Sequence, residues 1–328
     1  MTFNLRPATP ADLPFRAALH NALFPGEPTT LADLQRQDET RRADLIQHRF
    51  IAEVDGQPAG QGLYTQQEWM FHPQKFLVNV QVGRDHQGQG IGKRLWEKLE
   101  SELRALDAVK LFASVREDET RARRFLSERG FTEEQRERVA VLSLADADLS
   151  AFDAAVNRVQ AQGYTLMTFA EWSGPTQEGR LYAFDREASQ DTPRPADEVF
   201  DFPTPERYWE RIRADPTHDP SLWFVAVRDG ELAGLSQLQT VAALPEVLST
   251  GLTATARAHR RRGLALALKL TALTEAKKRG YRRVRTENDA TNAPMIAIND
   301  ALGFAQTPAR LWLTRLRRPP AFSDPGPV

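Results

Sequence analysis

The sequence predicts an α/β protein that contains two successive copies of one layered α+β fold, each a sheet flanked by helices. First, the stretch from Arg84 to Leu103 runs from a short apolar segment through a glycine-bearing loop into an amphipathic helix. Second, the stretch from Arg257 to Ala276 repeats this order. Third, an Asp-Gly pair precedes each stretch and a Gly-Phe pair follows it. The sequence separation between the two copies is nearly the same for both pairs. Together these repeats indicate an internal duplication.

Length and composition limit the class of protein. At 328 residues the chain is long enough for two domains. Its 43 basic and 44 acidic residues give a net charge of −1, so we expect no nucleic-acid or membrane partner. The sequence contains no cysteine, which excludes disulfides, thiolate metal sites and a cysteine nucleophile. Because the first residues carry no apolar signal segment, we expect a cytoplasmic protein, and we predict no metal site.

The first half predicts strands and helices in a defined order. Thr9 caps the first helix, which has a proline in its first turn. Asp55-Gly56 joins two alternating apolar runs and favours a tight hairpin, since that turn needs positive φ. The predicted helices cover residues 10–23, 31–48, 90–106 and 119–128. The predicted strands cover residues 3–6, 49–54, 58–65, 76–82, 110–115 and, as the strand that closes this unit, 139–144.

The second half predicts the same order, with Asp229-Gly230 at its hairpin. Its predicted helices cover residues 150–162, 177–188, 205–214, 263–279 and 293–301. Its predicted strands cover residues 164–169, 222–227, 232–240, 248–255, 282–287 and, last, 311–316. We therefore predict a first domain over residues 1–146, a second domain over residues 147–318, and a proline-rich, mobile tail over residues 319–328.

Each glycine loop leads directly into a helix, an arrangement suited to phosphate. The first amides of a helix have no partners within it, and the helix dipole adds partial positive charge there. Glycine lets the backbone approach an anion closely. One alternative is ordinary turn chemistry, which the duplication disfavours. The run of three arginines before Gly263 has two other interpretations, a solvated charged face or a nucleic-acid patch. Both are disfavoured, because basic residues do not extend along one helix face.

The two loops share one pattern. The strings QGQGIG (87–92) and RRRGLA (260–265) both fit (Gln/Arg)-x-x-Gly-x-(Gly/Ala), and TENDATNAPMIAINDALGF follows the second. The pattern resembles the acetyl-coenzyme A pyrophosphate loop of the GCN5-related N-acetyltransferases, and the tandem arrangement is similar to that of mycothiol synthase-type acetyltransferases. The resemblance covers essentially both halves. It implies two tandem acyl-CoA N-acyltransferase (GNAT) domains, each with a mixed, mostly antiparallel sheet splayed at the coenzyme A site.

The resemblance also implies which residues bind acetyl-coenzyme A (acetyl-CoA). In the family, the strand before the loop pairs with the pantetheine arm through its backbone, the loop amides hold the two phosphates, and an asparagine bonds the pantetheine. The matching residues are Val80, Val82, Gln87, Gly88, Gln89, Gly90, Ile91 and Gly92 in the first half, and Thr253, Thr255, Arg260, Arg261, Arg262, Gly263, Leu264, Ala265 and Asn292 in the second.

At the positions of the family's catalytic groups, this sequence matches the family less well than at the coenzyme-binding positions. The family tyrosine that protonates the departing thiolate is replaced by Leu126 in the first half and by Asn299 in the second. The family asparagine is present as Asn292 but is replaced by Glu119 in the first half. Neither strand before a loop carries a glutamate, and the nearest carboxylate in the second half is Glu246. The candidate catalytic residues are therefore Glu246, Asn292 and Asn299.

The resemblance implies an enzyme that transfers an acetyl group directly from acetyl-CoA to a primary amine of a small molecule or peptide. The second half keeps the asparagine, so we expect the C-terminal domain to be catalytic. One alternative is a non-catalytic protein that binds or senses acetyl-CoA or another acyl-CoA. Another is a duplicated scaffold that no longer binds the coenzyme. The sequence leaves a monomer and a homodimer equally open.

Overall fold

The computed structural model describes residues 2–68, 71–172, 174–192 and 202–317. Within these ranges the chain forms two compact units. Of the described residues, unit 1 contains those up to Arg136 and those from Arg310 onwards, and unit 2 contains those from Glu137 to Ala309. The predicted tail, 319–328, lies outside the described residues. Among the described helices, none combines the length and the apolar character that a bilayer span requires.

The first half of the chain follows the predicted order, with one helix that is shorter than predicted. The helix from Leu31 ends at Glu39, where the hydroxyl of Thr40 donates to the carbonyl of Arg36 (2.9 Å), and a strand begins at Gln47. Leu45 and Ile46 extend the apolar pattern past the true helix end. The helices are α1 (Leu13–Leu23), α2 (Leu31–Glu39), α3 (Ile91–Ala105) and α4 (Thr120–Ser127). The strands are β1 (Phe3–Pro7), β2 (Gln47–Val54), β3 (Gln57–Thr65), β4 (Lys75–Val82), β5 (Lys110–Arg116) and β6 (Thr132–Ser143).

The second half contains a short helix and a two-residue strand that the sequence did not predict. The strand predicted over 164–169 ends at Thr168, because Thr168 and Glu171 cap each other and start a helix (2.7 Å and 3.2 Å). The helices are α5 (Asp153–Ala161), α6 (Phe169–Trp172), α7 (Pro175–Gln190), α8 (Pro205–Ala214), α9 (Leu264–Lys278) and α10 (Ala293–Ala301). The strands are β7 (Thr165–Thr168), β8 (Trp223–Arg228), β9 (Glu231–Thr240), β10 (Val247–Thr255), β11 (Arg283–Asp289), β12 (Ala305–Gln306) and β13 (Arg310–Leu316).

Each unit contains a mixed, mostly antiparallel run of strands flanked by helices, which confirms the predicted fold class. In unit 1 the strand order is β1-β2-β3-β4-β5-β13, and only β4 and β5 are parallel. In unit 2 the order is β6-β11-β10-β9-β8-β7, only β10 and β11 are parallel, and β12 also pairs with β6. Helix α3 packs on β3 and β4, and its copy α9 packs on β8, β9 and β10.

Each sheet is completed by a strand from the other half of the sequence. Strand β13, the last of the chain, pairs antiparallel with β5 of unit 1, so that Leu311 lies opposite Val115. Strand β6 pairs antiparallel with β11 of unit 2, so that Leu142 lies opposite Val284. The prediction that residues 139–144 close the first unit is therefore wrong, and the compact units do not follow the predicted division at residue 146. Copies of one strand have the same alternation, so the pattern cannot tell which sheet each joins.

A lysine lies in the core of unit 2. The side chain of Lys269, on α9, is 3% exposed, and its Nζ lies 5.5 Å from the ring centroid of Phe304. It forms no hydrogen bond or ion pair with any described residue. The matching position on α3 holds an apolar residue, Trp96. Burial lowers the pKa of Lys269 from its ordinary value of 10.5 to about 8.

Replacement of Lys269 with Met is expected to stabilise the protein by about 3 kcal/mol at pH 7. The folded state disfavours the ammonium form, so the native lysine costs stability fully below pH 8, and the cost disappears as the pH rises towards 10.5. Chemical denaturation of both proteins at pH 7 and pH 10 measures the difference. Lys278→Met, at an exposed lysine of the same helix, is the control. An equal gain at both pH values would contradict the explanation.

Candidate functional site

Each unit has a cleft where its two parallel strands separate. Strand β4 pairs with β5 only over Lys75, Phe76 and Leu77 and continues beside β3 alone to Val82. Strand β10 pairs with β11 only over residues 247–249 and continues beside β9 alone. The predicted coenzyme-binding residues Val80, Val82, Thr253 and Thr255 all lie in these separated segments. Their backbone groups on the cleft side have no strand partner among the described residues, so an extended ligand arm fits there.

The two separated strands differ in backbone geometry. Strand β10 has a register shift against β9 between Thr250 and Thr253, whereas β4 pairs with β3 in unbroken register from Leu77 to Val82. At the shift the backbone N–H of Leu252 donates to Oε1 of Gln237 (3.2 Å). A Cβ at Gly251 would lie 3.1 Å from this same side chain, a tight contact that glycine avoids. Within the described pairs, only unit 2 therefore has a bulge at the point of separation.

The glycine loop of unit 1 follows β4 directly. Gly88 and Gly90 have φ of 84° and 82°, the left-handed conformation that glycine adopts without strain. Nε2 of Gln87 donates to the carbonyl of Val82 (3.0 Å), and Nε2 of Gln89 donates to the carbonyl of Asp85 (3.0 Å). Gly90 provides no side-chain cap for α3. The amides of the first turn of α3, which includes Ile91 and Gly92, are thus available to an anion.

The glycine loop of unit 2 has the same backbone. Gly263 has φ of 84°, and Nε of Arg260 donates to the carbonyl of Thr255 (3.2 Å). This bond matches the one from Gln87 to Val82, because each donor follows its acceptor by five residues. Arg261 adopts φ of 62° at the position of Gly88, although arginine has a Cβ. Leu264 and Ala265 form the first turn of α9, where Gly263 likewise provides no side-chain cap.

Not all the arginines of this loop are available to an anion. Arg260 pairs with Asp191, which also accepts from Arg257 (2.6 Å). These two guanidinium groups, Arg257 first, hold the pKa of Asp191 well below its usual range. Arg261 and Arg262 are exposed and form no ion pair with a described residue. Two of the three predicted arginines therefore carry unpaired positive charge at the loop.

Polar side chains line the cleft of unit 2 where β10 and β11 separate. The hydroxyl of Thr250 donates to that of Thr286 (2.8 Å), and Nδ2 of Asn299 donates to Oδ1 of Asn288 (2.6 Å). Asn299 is 4% exposed, and its Oδ1 has no partner among the described residues. Oδ1 of Asn292 caps α10 by accepting from the amide of Met295 (3.3 Å). Beside the point of separation there is thus a buried acceptor, Oδ1 of Asn299, that has no donor among the described residues.

The matching positions of unit 1 are all apolar. Thr286, Asn288 and Asn299 correspond to Ala113, Val115 and Leu126 at an offset of 173 residues. Thr250 lies before the bulge and corresponds to Val78, because both residues pair with matching positions of the neighbouring strand. Ala113 and Val115 are buried. The two clefts therefore share their backbone opening but differ at four positions beside it. At these four positions, hydrogen-bonding side chains are present in unit 2 and apolar side chains in unit 1.

Two carboxylates of unit 2 have different surroundings. Glu246 lies just before β10 and accepts from Arg283 (3.1 Å), so its charge is already paired. Asp185, on α7, accepts from the hydroxyl of Tyr208 (2.6 Å), and burial raises its pKa despite that bond. Helix α7 belongs to a core cluster against which Leu252 of β10 packs. Sequence reasoning missed Asp185, because an aspartate on a charged helix is typical of the surface.

Three comparisons place this geometry among known proteins. The model of the family described as "Acetyltransferase (GNAT) family" matches residues 15–131 and 183–304. A GCN5-related N-acetyltransferase from Sphaerobacter thermophilus is 22% identical with a TM-score of 0.71, over 97% of this chain and 96% of that chain. A tandem GNAT protein from the clavulanic acid biosynthesis pathway is 19% identical with a TM-score of 0.75, over 97% of this chain and 100% of that chain. Among curated proteins, none matches. At these identities the solved structures show a shared fold.

Proposed function

The chain belongs to the acetyltransferase (GNAT) family, and from that premise we propose that it is an acetyl-CoA-dependent N-acetyltransferase whose reaction takes place in unit 2. Membership of the family implies acyl transfer from an acyl-CoA. The proposed acceptor is a primary amine of a small molecule or peptide. We also propose a cytoplasmic location, a monomeric or homodimeric state, and no nucleic-acid partner.

One observation carries the choice of unit 2. Both glycine loops have a backbone that suits phosphate binding, but within the described residues only the cleft of unit 2 combines a bulged strand with polar side chains at the four compared positions. A thioester carbonyl needs a donor as it becomes an oxyanion, and an attacking amine needs acceptors for its N–H groups. Unit 2 places the register shift of strand β10 and Oδ1 of Asn299, an acceptor held in place by Asn288, beside the separated strands. Unit 1 has apolar side chains at the four matching positions.

The proposed reaction is direct transfer. The amine nitrogen attacks the thioester carbon, a C–N bond forms, and the C–S bond breaks as the sulfur leaves as thiolate. The ammonium proton must go to a base, and the thiolate must receive a proton. Asn292 would bond the pantetheine arm through its Nδ2, because its Oδ1 already caps α10.

Two carboxylates compete for the role of base. Glu246 is the sequence-based choice, but its carboxylate is already paired with Arg283 (3.1 Å). Asp185 has a raised pKa caused by burial, which brings a carboxyl closer to neutral pH and favours proton transfer. We therefore propose Asp185 ahead of Glu246 as the group that takes up the ammonium proton.

A second function, acyl-CoA binding or sensing without transfer, is favoured by one observation. Neither unit carries the tyrosine that protonates the thiolate in related enzymes, since Leu126 and Asn299 replace it. Two measurements distinguish the functions: calorimetry with acetyl-CoA, and a thiol-release assay across a panel of amines. Binding together with amine-dependent release of coenzyme A supports the enzyme. Binding without release on any amine supports the sensor and rejects the enzyme.

Replacement of Asn299 with Leu, the residue at the matching position of unit 1, is expected to lower kcat about 10–100-fold. The change removes the buried acceptor Oδ1 and leaves the phosphate loop intact, so the affinity for acetyl-CoA should change by less than about threefold. Thiol release and calorimetry measure the two quantities. Leu126→Asn, the reciprocal change in unit 1, is the control and should leave kcat unaltered. A kcat equal to that of the native protein would exclude Asn299 from the reaction.

A further inference from the structure

Unit 1 contains a cluster of three arginines outside its glycine loop. Arg16 lies on α1, Arg41 follows α2, and Arg49 lies on β2. Arg49 lies within electrostatic range of both Arg16 and Arg41. The pKa of Arg49 falls to about 10, first because of burial and then because of the positive charge of Arg16, with Arg41 acting in the same direction. The fold therefore brings three cations from separate elements into one region.

The carboxylates near this arginine cluster do not balance its charge. Asp38 pairs with Arg16 (2.6 Å), and its side chain is 39% exposed. Glu68 lies within electrostatic range of Arg41. Among the described residues, these three guanidinium groups thus have two carboxylates, Asp38 and Glu68, in the electrostatic surroundings of Arg49 and Arg41, and Asp38 is open to solvent. Partly buried like charges repel one another, and the fold tolerates such an excess best where an anion from outside offsets it.

Two of the arginines have guanidinium N–H groups that form no hydrogen bond with a described residue. Arg16 is 5% exposed, and its buried Nε has no acceptor among the described residues. Arg49 makes one hydrogen bond to a described residue, from Nη1 to Oε1 of Gln61 (3.1 Å). A buried donor without an acceptor is destabilising, whereas an oxyanion accepts several charge-assisted hydrogen bonds at once. A role in fixing α1 to α2 needs only the pair of Arg16 and Asp38 and does not explain Arg49.

The arginine cluster is connected to the strand at the cleft of unit 1. Nε2 of Gln61 donates to Oε1 of Gln81 (2.6 Å), and the two residues lie opposite each other on β3 and β4. Both glutamines are buried. Gln81 lies between Val80 and Val82, in the segment of β4 that has separated from β5. A ligand held by the arginines is thus linked by two hydrogen-bonded side chains to the strand at the cleft.

We propose that Arg16, Arg41 and Arg49 form a binding site in unit 1 for the oxyanion of a ligand, a carboxylate or a phosphate. Arg16 supplies its free Nε, Arg49 supplies its remaining guanidinium donors, and Arg41 adds positive charge. The site is a property of unit 1 alone. It does not depend on which unit transfers an acyl group, or on whether either does.

Calorimetric titration with succinate and with inorganic phosphate at constant ionic strength tests the site. The titrations use full-length protein carrying Gly90→Glu and Gly263→Glu, so that phosphate bound by the glycine loops does not interfere. On this background we expect saturable binding of at least one anion. Arg49→Gln should weaken it about tenfold or more, and Arg104→Gln, which removes an exposed charge at the far end of α3, should change it less than about twofold. Binding of succinate alone identifies a carboxylate ligand, and binding of phosphate alone a phosphate ligand.

Two results would overturn the proposal. The first is the absence of saturable binding of either anion. The second is an equal effect of Arg49→Gln and Arg104→Gln on anion affinity. Thermal unfolding without ligand provides the readout for a purely structural role. Removal of a repelling charge should leave the melting temperature of Arg49→Gln unchanged or raised, whereas a lowered melting temperature with undiminished anion binding would assign Arg49 to the fold.

Discussion

A Leu311→Asp substitution is expected to unfold the sheet of unit 1, although residue 311 belongs to the second half of the sequence. Leu311 is 1% exposed and lies on β13 opposite Val115. An unpaired carboxylate buried there should cost about 3–5 kcal/mol, a large part of the stability of an ordinary domain. The loss should appear first in β2 to β5, because β13 completes their sheet.

The reciprocal change, Leu142→Asp, should act on unit 2 instead. Leu142 is 3% exposed, lies opposite Val284 and belongs to the main core cluster of that unit. Hydrogen exchange measured by mass spectrometry on both variants shows which segments lose protection. Leu316→Asp, a change at a 76% exposed position of β13, is the control and should alter neither unit. If Leu311→Asp raised exchange in residues 223–289 and spared residues 47–116, the pairing of β13 with β5 would be refuted.

Gly263→Glu is expected to reduce acetyl transfer about 100-fold or more, whereas Gly90→Glu should leave most of it. Glutamate at φ near 84° is strained, and its carboxylate would repel the phosphates that the loop is proposed to hold. Each change should remove coenzyme binding from its own unit, so the stoichiometry measured by calorimetry should fall by one site if both units bind. Only the change in unit 2 should also remove turnover.

Gly280→Glu is a matched control for backbone strain. Gly280 has φ of 87°, and a Cβ there would meet nothing within 4 Å, so the same substitution carries a similar strain away from the loop. Its turnover should stay close to that of the native protein. If Gly90→Glu abolished transfer and Gly263→Glu did not, unit 1 would be the catalytic unit and the proposed roles would be reversed.

The sequence predicts best those features that depend on special backbone conformations. Asp55-Gly56 and Asp229-Gly230 form the predicted hairpins with positive φ at all four residues, and Gly90 and Gly263 occupy the predicted loop positions. These residue types reflect a local requirement, and local requirements can be read from a few neighbouring residues.

Features that depend on distant partners could not be predicted in the same way. The position of Asn299 is visible in the sequence, but its free oxygen is defined only by the bond to Asn288. Arg16 resembles a surface arginine until α1 and α2 fold against each other around Asp38. The exchange of β6 and β13 could not be predicted for a different reason. The two strands are copies with the same alternation of apolar residues, so that alternation fits either sheet equally well.

The pairing of β5 with β13 also affects how the chain folds during synthesis. These partners lie about 200 residues apart, so at typical rates of translation the ribosome needs roughly 10–40 s to make β13 after β5. During that interval the edge of β5 that pairs with β13 has no partner strand. Exposed strand edges favour aggregation. Every strand of the sheet of unit 2 has been made before β13 begins. We therefore expect the later-encoded unit to complete its fold first, reversing the usual N-to-C order of folding on the ribosome.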